Sequence, residues 1–251
     1  MATTHPTEQE LEATIDMTLK DTFPASDPPA WTLGRESPST QAARPNAIPG
    51  QIQAQPEVTK SEDETRRVTI LGIAGSLRRN SYNRAALRVA QQLVPANTTL
   101  DIFDISDIPL FNQDDEQTLP SAVVQFKARI RAADAVLFVT PEYNYSIPGV
   151  LKNAIDWASR PSGDNAWDGK LAAIFGVSPR KIGTARAQYH LCQVFVTLNM
   201  YTLNQPEVMI GNAGERFDRQ GNLTDKETQT FLQRLLDQLV QWTRHFQRSR
   251  P

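Results

Sequence analysis

From residue 67 onward, short and almost wholly apolar runs alternate with longer stretches whose apolar residues recur every three or four positions. Residues 68–73, 99–104, 135–140, 171–177 and 207–210 are the short runs, and their length and β-branched content predict strands. Between them, Ala86, Val89, Ala90 and Leu93 fall on one face of a helix that Pro95 ends, and residues 119–133 predict a second helix. Val150, Leu151, Ala154, Ile155 and Ala158 mark a third, and Leu191, Val194, Phe195 and Leu198 a fourth. Leu232, Leu235, Leu236, Leu239 and Phe246 mark the last. A strand that is apolar on both sides must be covered on both sides, so the pattern predicts a five-stranded, doubly wound parallel sheet between two helical layers.

The chain of 251 residues divides at about residue 66. Residues 66–251 are expected to form the α/β domain. Residues 34–65 are rich in Ser, Thr, Gln, Pro, Ala and Glu, with Pro38, Pro45, Pro49 and Pro56 along them, and read as a flexible linker. Residues 1–33 form an arm in which Leu11, Ile15, Leu19 and Phe23 make one apolar stripe on a short helix ended by Pro24. The arm therefore docks on a protein surface or remains a loose tail, so the N-terminal extension is expected to be largely non-globular. A formal charge of −2 gives no basic surplus for nucleic acid or anionic lipid, and no apolar stretch reaches the roughly 18 residues of a membrane span. Cys192 is the single cysteine, which fits a reducing compartment, and the N-terminus reads as no signal peptide; the expected location is the cytoplasm.

A parallel sheet of this kind takes the flavodoxin-like order and binds ligands beyond the carboxyl ends of its strands. The first such loop is Gly75-Ser-Leu-Arg-Arg-Asn-Ser-Tyr-Asn83, which joins a strand to a helix N-terminus. Unpaired amides and the helix dipole favour an anion there, and Ser76, Arg78, Ser81 and Asn83 add donors. The alternative reading of the same residues is an ordinary helix cap by Ser81 or Asn83. The loop lacks the Lys-Ser/Thr ending of a triphosphate-binding loop and suits a phosphate that is held rather than transferred. The third loop, Thr140-Pro-Glu-Tyr-Asn-Tyr-Ser-Ile-Pro-Gly149, is stiffened by two prolines and offers tyrosines and main-chain amides to a planar ring.

Together these loops resemble the NADPH-dependent FMN reductase family, which includes quinone, chromate and azo-dye reductases. The resemblance spans roughly residues 67–245 and rests on G-S-L-R-x-x-S-x-N and P-E-Y-N-x-S-x-P-G-x-L-K-N-A-I-D-W. It implies that Ser76, Arg78, Ser81 and Asn83 hold the FMN phosphate. Pro141, Glu142, Tyr143 and Asn144 then border the isoalloxazine and ribityl chain, and Ser178 carries over from the loop after the fourth strand. That loop departs from the family's glycine-rich turn: Arg180, Lys181 and Ile182 precede a lone Gly183. These bulkier residues narrow the open face of the flavin, or Arg180 or Lys181 binds the 2′-phosphate of NADPH. The implied activity is a ping-pong hydride transfer from NADPH or NADH through FMN to a small-molecule acceptor, in a homodimer or homotetramer.

Two other functions fit the same fold: a flavodoxin-type electron carrier, and an FMN-binding regulatory protein acting through its arm. The near-neutral charge and the arginine in the first loop count against the carrier. His5, His190 and His245 are scattered without metal-ligand spacing, so no metal site is expected. His190 reads as a packed or surface imidazole and Cys192 as core filler. Ser76 lacks the G-x-S-x-G elbow of a hydrolase.

Overall fold

The computed structural model describes residues 66–248; the arm and linker expected at 1–65 lie outside the described residues. The strands are β1 (Val68–Ala74), β2 (Thr98–Phe103), β3 (Ala135–Val139), β4 (Leu171–Val177), β5 (Tyr201–Thr202) and β6 (Val208–Ile210). The helices are α1 (Tyr82–Leu93), α2 (Ser121–Ala132), α3 (Gly149–Ala158), α4 (Ala185–Thr197), a single turn α5 (Ala213–Arg216) and the long α6 (Lys226–Arg248). All strand pairs are parallel, in the order β2-β1-β3-β4-β5 with β6 also on β4. This is the flavodoxin-like order. No described helix is long and apolar enough to cross a membrane.

The expected fifth strand, 207–210, is only half of what lies beside β4. Leu171 and Ala172 pair with Tyr201 and Thr202 of β5, and Phe175 to Val177 pair with Val208 to Ile210 of β6. The sheet therefore holds six strands in five positions. Pro206, which has no N–H to give a ladder, sits in the break, next to the exposed Asn204 and Gln205.

Alternation along each strand splits the core in two. Val68, Ile70, Leu137, Val139, Ala173 and Phe175 face α1 and α6, where Ala86, Ala90, Leu232, Leu236 and Leu239 are buried. Leu71, Ile73, Val136, Phe138, Ala172 and Ile174 face α2, α3 and α4, meeting Phe126, Ile130, Leu151, Leu191 and Phe195. Each Val, Leu, Ile or Phe side chain among them contributes about 1.5–3 kcal/mol by leaving water. Trp157 and Trp167 are also buried on this second face, and each indole N–H is satisfied, donating to the carbonyls of Pro109 (2.9 Å) and Ile155 (3.0 Å). With both faces covered, the carboxyl ends of β1, β3 and β4 are left open at one end of the sheet.

Candidate functional site

The loops leaving β1, β3 and β4 enclose a cleft of about 940 Å³, at the upper end of the roughly 300–1,000 Å³ of small-molecule sites. It lies where the winding of the sheet reverses between β1 and β3. Ser76, Arg78, Ser81, Asn83, Pro141, Glu142, Tyr143, Asn144 and Ser178 all line it. The first and third loops touch, with Ser76 Oγ 3.3 Å from the Tyr143 hydroxyl.

In the first loop, the Gly75 amide donates to the Val139 carbonyl (2.8 Å), carrying the β1–β3 ladder into the turn. Ser76 follows, buried, and its Oγ accepts from the Arg78 amide at 3.4 Å. Ser81 caps α1, its Oγ accepting from the Asn83 amide at 3.2 Å, so capping and cleft-lining coincide in one residue. The first turn of α1 carries no acidic residue, which leaves the helix dipole unopposed towards an anion. Asn83 is at the cleft and its side chain also bridges to β4: the amide donates to the Val177 carbonyl (2.8 Å), and its oxygen accepts from the Val177 amide (2.9 Å). Its work is to tie the start of α1 to the end of β4.

The third loop folds as a tight hairpin. Tyr143 and Ser146 exchange two backbone hydrogen bonds of 3.0 Å, and Asn144 (φ 49°) and Tyr145 (φ 69°) form the two-residue turn between them. Two left-handed residues match a type I′ turn, a conformation that asparagine adopts readily but that costs a tyrosine about 1–2 kcal/mol. Glu142 directs its carboxylate at α4, accepting from the Arg186 amide (3.0 Å), the Ala187 amide (3.4 Å) and the Arg186 Nε (2.6 Å). This hydrogen bond from Arg186 to Glu142 holds the guanidinium pKa above its ordinary value. The same guanidinium stacks on Tyr145, 3.6 Å from the ring centre. One turn further along α4, His190 Nδ1 lies 2.9 Å from Ser146 Oγ. The expected surface imidazole is thus tied to the loop.

The loop after β4 is pinned through its backbone. Ser178 Oγ accepts from the Arg180 amide (3.1 Å), and the Arg180 carbonyl accepts from Gly183 (3.2 Å). Gly183 is left-handed (φ 69°), and a Cβ on it would stand 2.9 Å from the Met209 carbonyl carbon. At Gly176, just before, a Cβ would come within 2.0 Å of Thr184 Oγ1 and 2.2 Å of the Thr140 carbonyl, so only glycine lets these loops approach. Arg180, Lys181 and Ile182 are exposed at the rim. Among the described residues four cations line the cleft, Arg78, Arg180, Lys181 and Arg186, against one carboxylate, Glu142, already paired with Arg186. The arrangement suits a doubly charged anion and a flat ring bordered by Pro141, Tyr143 and Asn144.

Arg186 is the charged lining residue that the sequence did not single out. Its place in the first turn of α4 is visible, but its partners in the third loop are not. Among the described residues no group of His, Cys, Asp and Glu could hold a metal ion. Burial pushes the Cys192 thiol pKa up, away from a reactive thiolate.

Residues 68–215 match the model of the NADPH-dependent FMN reductase family. An NAD(P)H-dependent FMN reductase of Pseudomonas aeruginosa is 53% identical over 178 residues, 70% of this chain and 96% of that protein. A 2-hydroxy-1,4-benzoquinone reductase of a Burkholderia species is 44% identical over 172 residues, 68% of this chain and 94% of that one. Among solved structures, the flavoenzyme NAD(P)H:(acceptor) oxidoreductase FerB of Paracoccus denitrificans superimposes with a TM-score of 0.66 at 40% identity, covering 70% of this chain and 97% of FerB.

Proposed function

Because this chain belongs to the NADPH-dependent FMN reductase family, we propose that it is an FMN-dependent NAD(P)H oxidoreductase reducing quinones or related small acceptors. The observation that carries this reading is the 3.3 Å approach of Ser76 Oγ and the Tyr143 hydroxyl in the lining of a cation-rich cleft.

The donor set fits FMN. Ser76, Ser81 and the amides opening α1 would hold the phosphate, with Arg78 as the charged partner. Asn83 would keep that cradle closed against β4, with its second amide N–H left for the anion. Pro141, Tyr143 and Asn144 would border the ring and ribityl chain, with Glu142 fixing them to α4 and Ser178 closing the far side. Bound FMN supplies the ring that takes hydride from NAD(P)H and passes electrons on. No side-chain acid or base is needed for that, in keeping with a cleft whose one carboxylate is held in an ion pair. The cations left over after the phosphate is bound would draw an anionic second substrate. Residues 66–251 would carry the whole activity, in a homodimer or homotetramer in the cytoplasm, with residues 1–33 and 34–65 as arm and linker.

The purified protein should carry a flavin absorption spectrum, be bleached by NADPH without oxygen, and recover its colour with a quinone. Bleaching by NADPH separates a reductase from an electron carrier. Protein that stays colourless after FMN addition and oxidises neither NADPH nor NADH with any quinone would overturn the proposal.

A further inference from the structure

We propose that Arg186 is a positioning residue that holds the 143–146 turn in its left-handed form for the flavin by stacking on Tyr145. The inference rests on the reading that this turn borders FMN.

Side chains with a Cβ avoid positive φ, and tyrosine lacks the short polar group that makes asparagine tolerable there. Tyr145 nevertheless sits at φ 69°, with the residue 67% exposed and so with little core packing to hold it. What the ring does have is the guanidinium, 3.6 Å from its centre. That guanidinium is itself fixed, since Glu142 binds both its Nε and the Arg186 amide. His190, one helical turn on, binds Ser146. The first two turns of α4 thus grip the hairpin at its third and fourth residues. Letting Asn144 and Tyr145 relax to negative φ would swing both of their amides to new directions and break the Tyr143–Ser146 pair. A turn that presents amides to a ring edge binds well only if those amides are already aimed, because ordering them on binding subtracts from affinity.

The proposal separates the backbone from the contact, and glycine tests the separation because it takes positive φ freely. Tyr145→Leu keeps the Glu142–Arg186 pair but loses the stack at a residue that resists φ 69°. Tyr145→Gly loses the same ring without the backbone resistance. FMN affinity would be read by flavin fluorescence quenching, and thermal midpoints would be taken on the flavin-free proteins. We expect Tyr145→Leu and Arg186→Ala to weaken FMN binding about tenfold, the size of one left-handed penalty. Tyr145→Gly should stay within about threefold of wild type, and adding it to Arg186→Ala should recover most of the loss in affinity and midpoint. A double variant no better than Arg186→Ala would overturn the inference, and so would a Tyr145→Leu protein that binds like wild type. If Arg186→Ala does not fold, the Leu against Gly comparison at 145 decides alone. Wild-type protein that fails to bind FMN would sink the reading of the site. Wild-type binding unaltered in all the variants would sink only this inference.

Discussion

Arg180 and Lys181 are exposed side chains on a backbone that cannot easily move, held by Ser178, Gly183 and the β6 end. A held backbone limits the order lost when such side chains close on a dianion. Replacing both with alanine should raise the KM for NADPH about 5- to 20-fold and leave that for NADH within about twofold, solvent screening at the rim keeping the effect modest. Equal effects on the two nucleotides in steady-state assays would remove these residues from 2′-phosphate recognition. At this scale the sequence showed which loops form the site, because strand–loop–helix order and helix-start chemistry are local. Ser76 and Ser81 were legible for that reason. The partners of Asn83 and Glu142 were not, since Val177 lies 94 residues from Asn83 and Arg186 lies 44 from Glu142. Nothing in a local pattern records such a pairing.

Among the elements, strands and helices were legible where period and length agreed, which is why α1 to α4 and α6 fall close to their expected spans. The fifth sheet position was half legible: β6 carries the apolar signal, whereas the two-residue β5 is too short to show a period. Other elements are joined by charge. Lys127, buried in α2, donates to the Arg160 carbonyl and, at 2.6 Å, to Asp164, which also pairs with Arg131. Together they clamp the segment between α3 and β4 to α2. The hydrogen bond from Lys127, outweighing partial burial, holds the Asp164 carboxyl below its ordinary 3.8. A carboxyl depressed by folding stabilises the protein above its ordinary pKa, and that stabilisation is lost as pH falls through the lowered folded value. Asp164→Asn should therefore lower the Tm by roughly 2–4 °C at pH 7, a modest loss because the carboxylate is half exposed. The gap from wild type should hold down to about pH 5 and close below 3.8. A gap that persists unchanged at pH 2.5 would show that the carboxylate charge is not what clamps the loop.

For the molecule as a whole, the described residues that line the cleft all fall between Ser76 and Arg186, in the loops at the strand ends and the first turns of α1 and α4. Removing residues 1–60 should leave FMN affinity and kcat/KM within about twofold, because the groups proposed to hold FMN all lie in residues 66–251. A tenfold loss in either would place part of the N-terminal segment in the active enzyme. The central claim is that the cleft holds FMN at two ends, phosphate at the β1 loop and ring at the β3 loop. Titrating the flavin-free protein with FMN and with riboflavin, which lacks the phosphate, tests it most directly. Two charge-assisted hydrogen bonds at about 1.5 kcal/mol each predict FMN binding at least 100-fold tighter than riboflavin. Equal dissociation constants for the two flavins would contradict it.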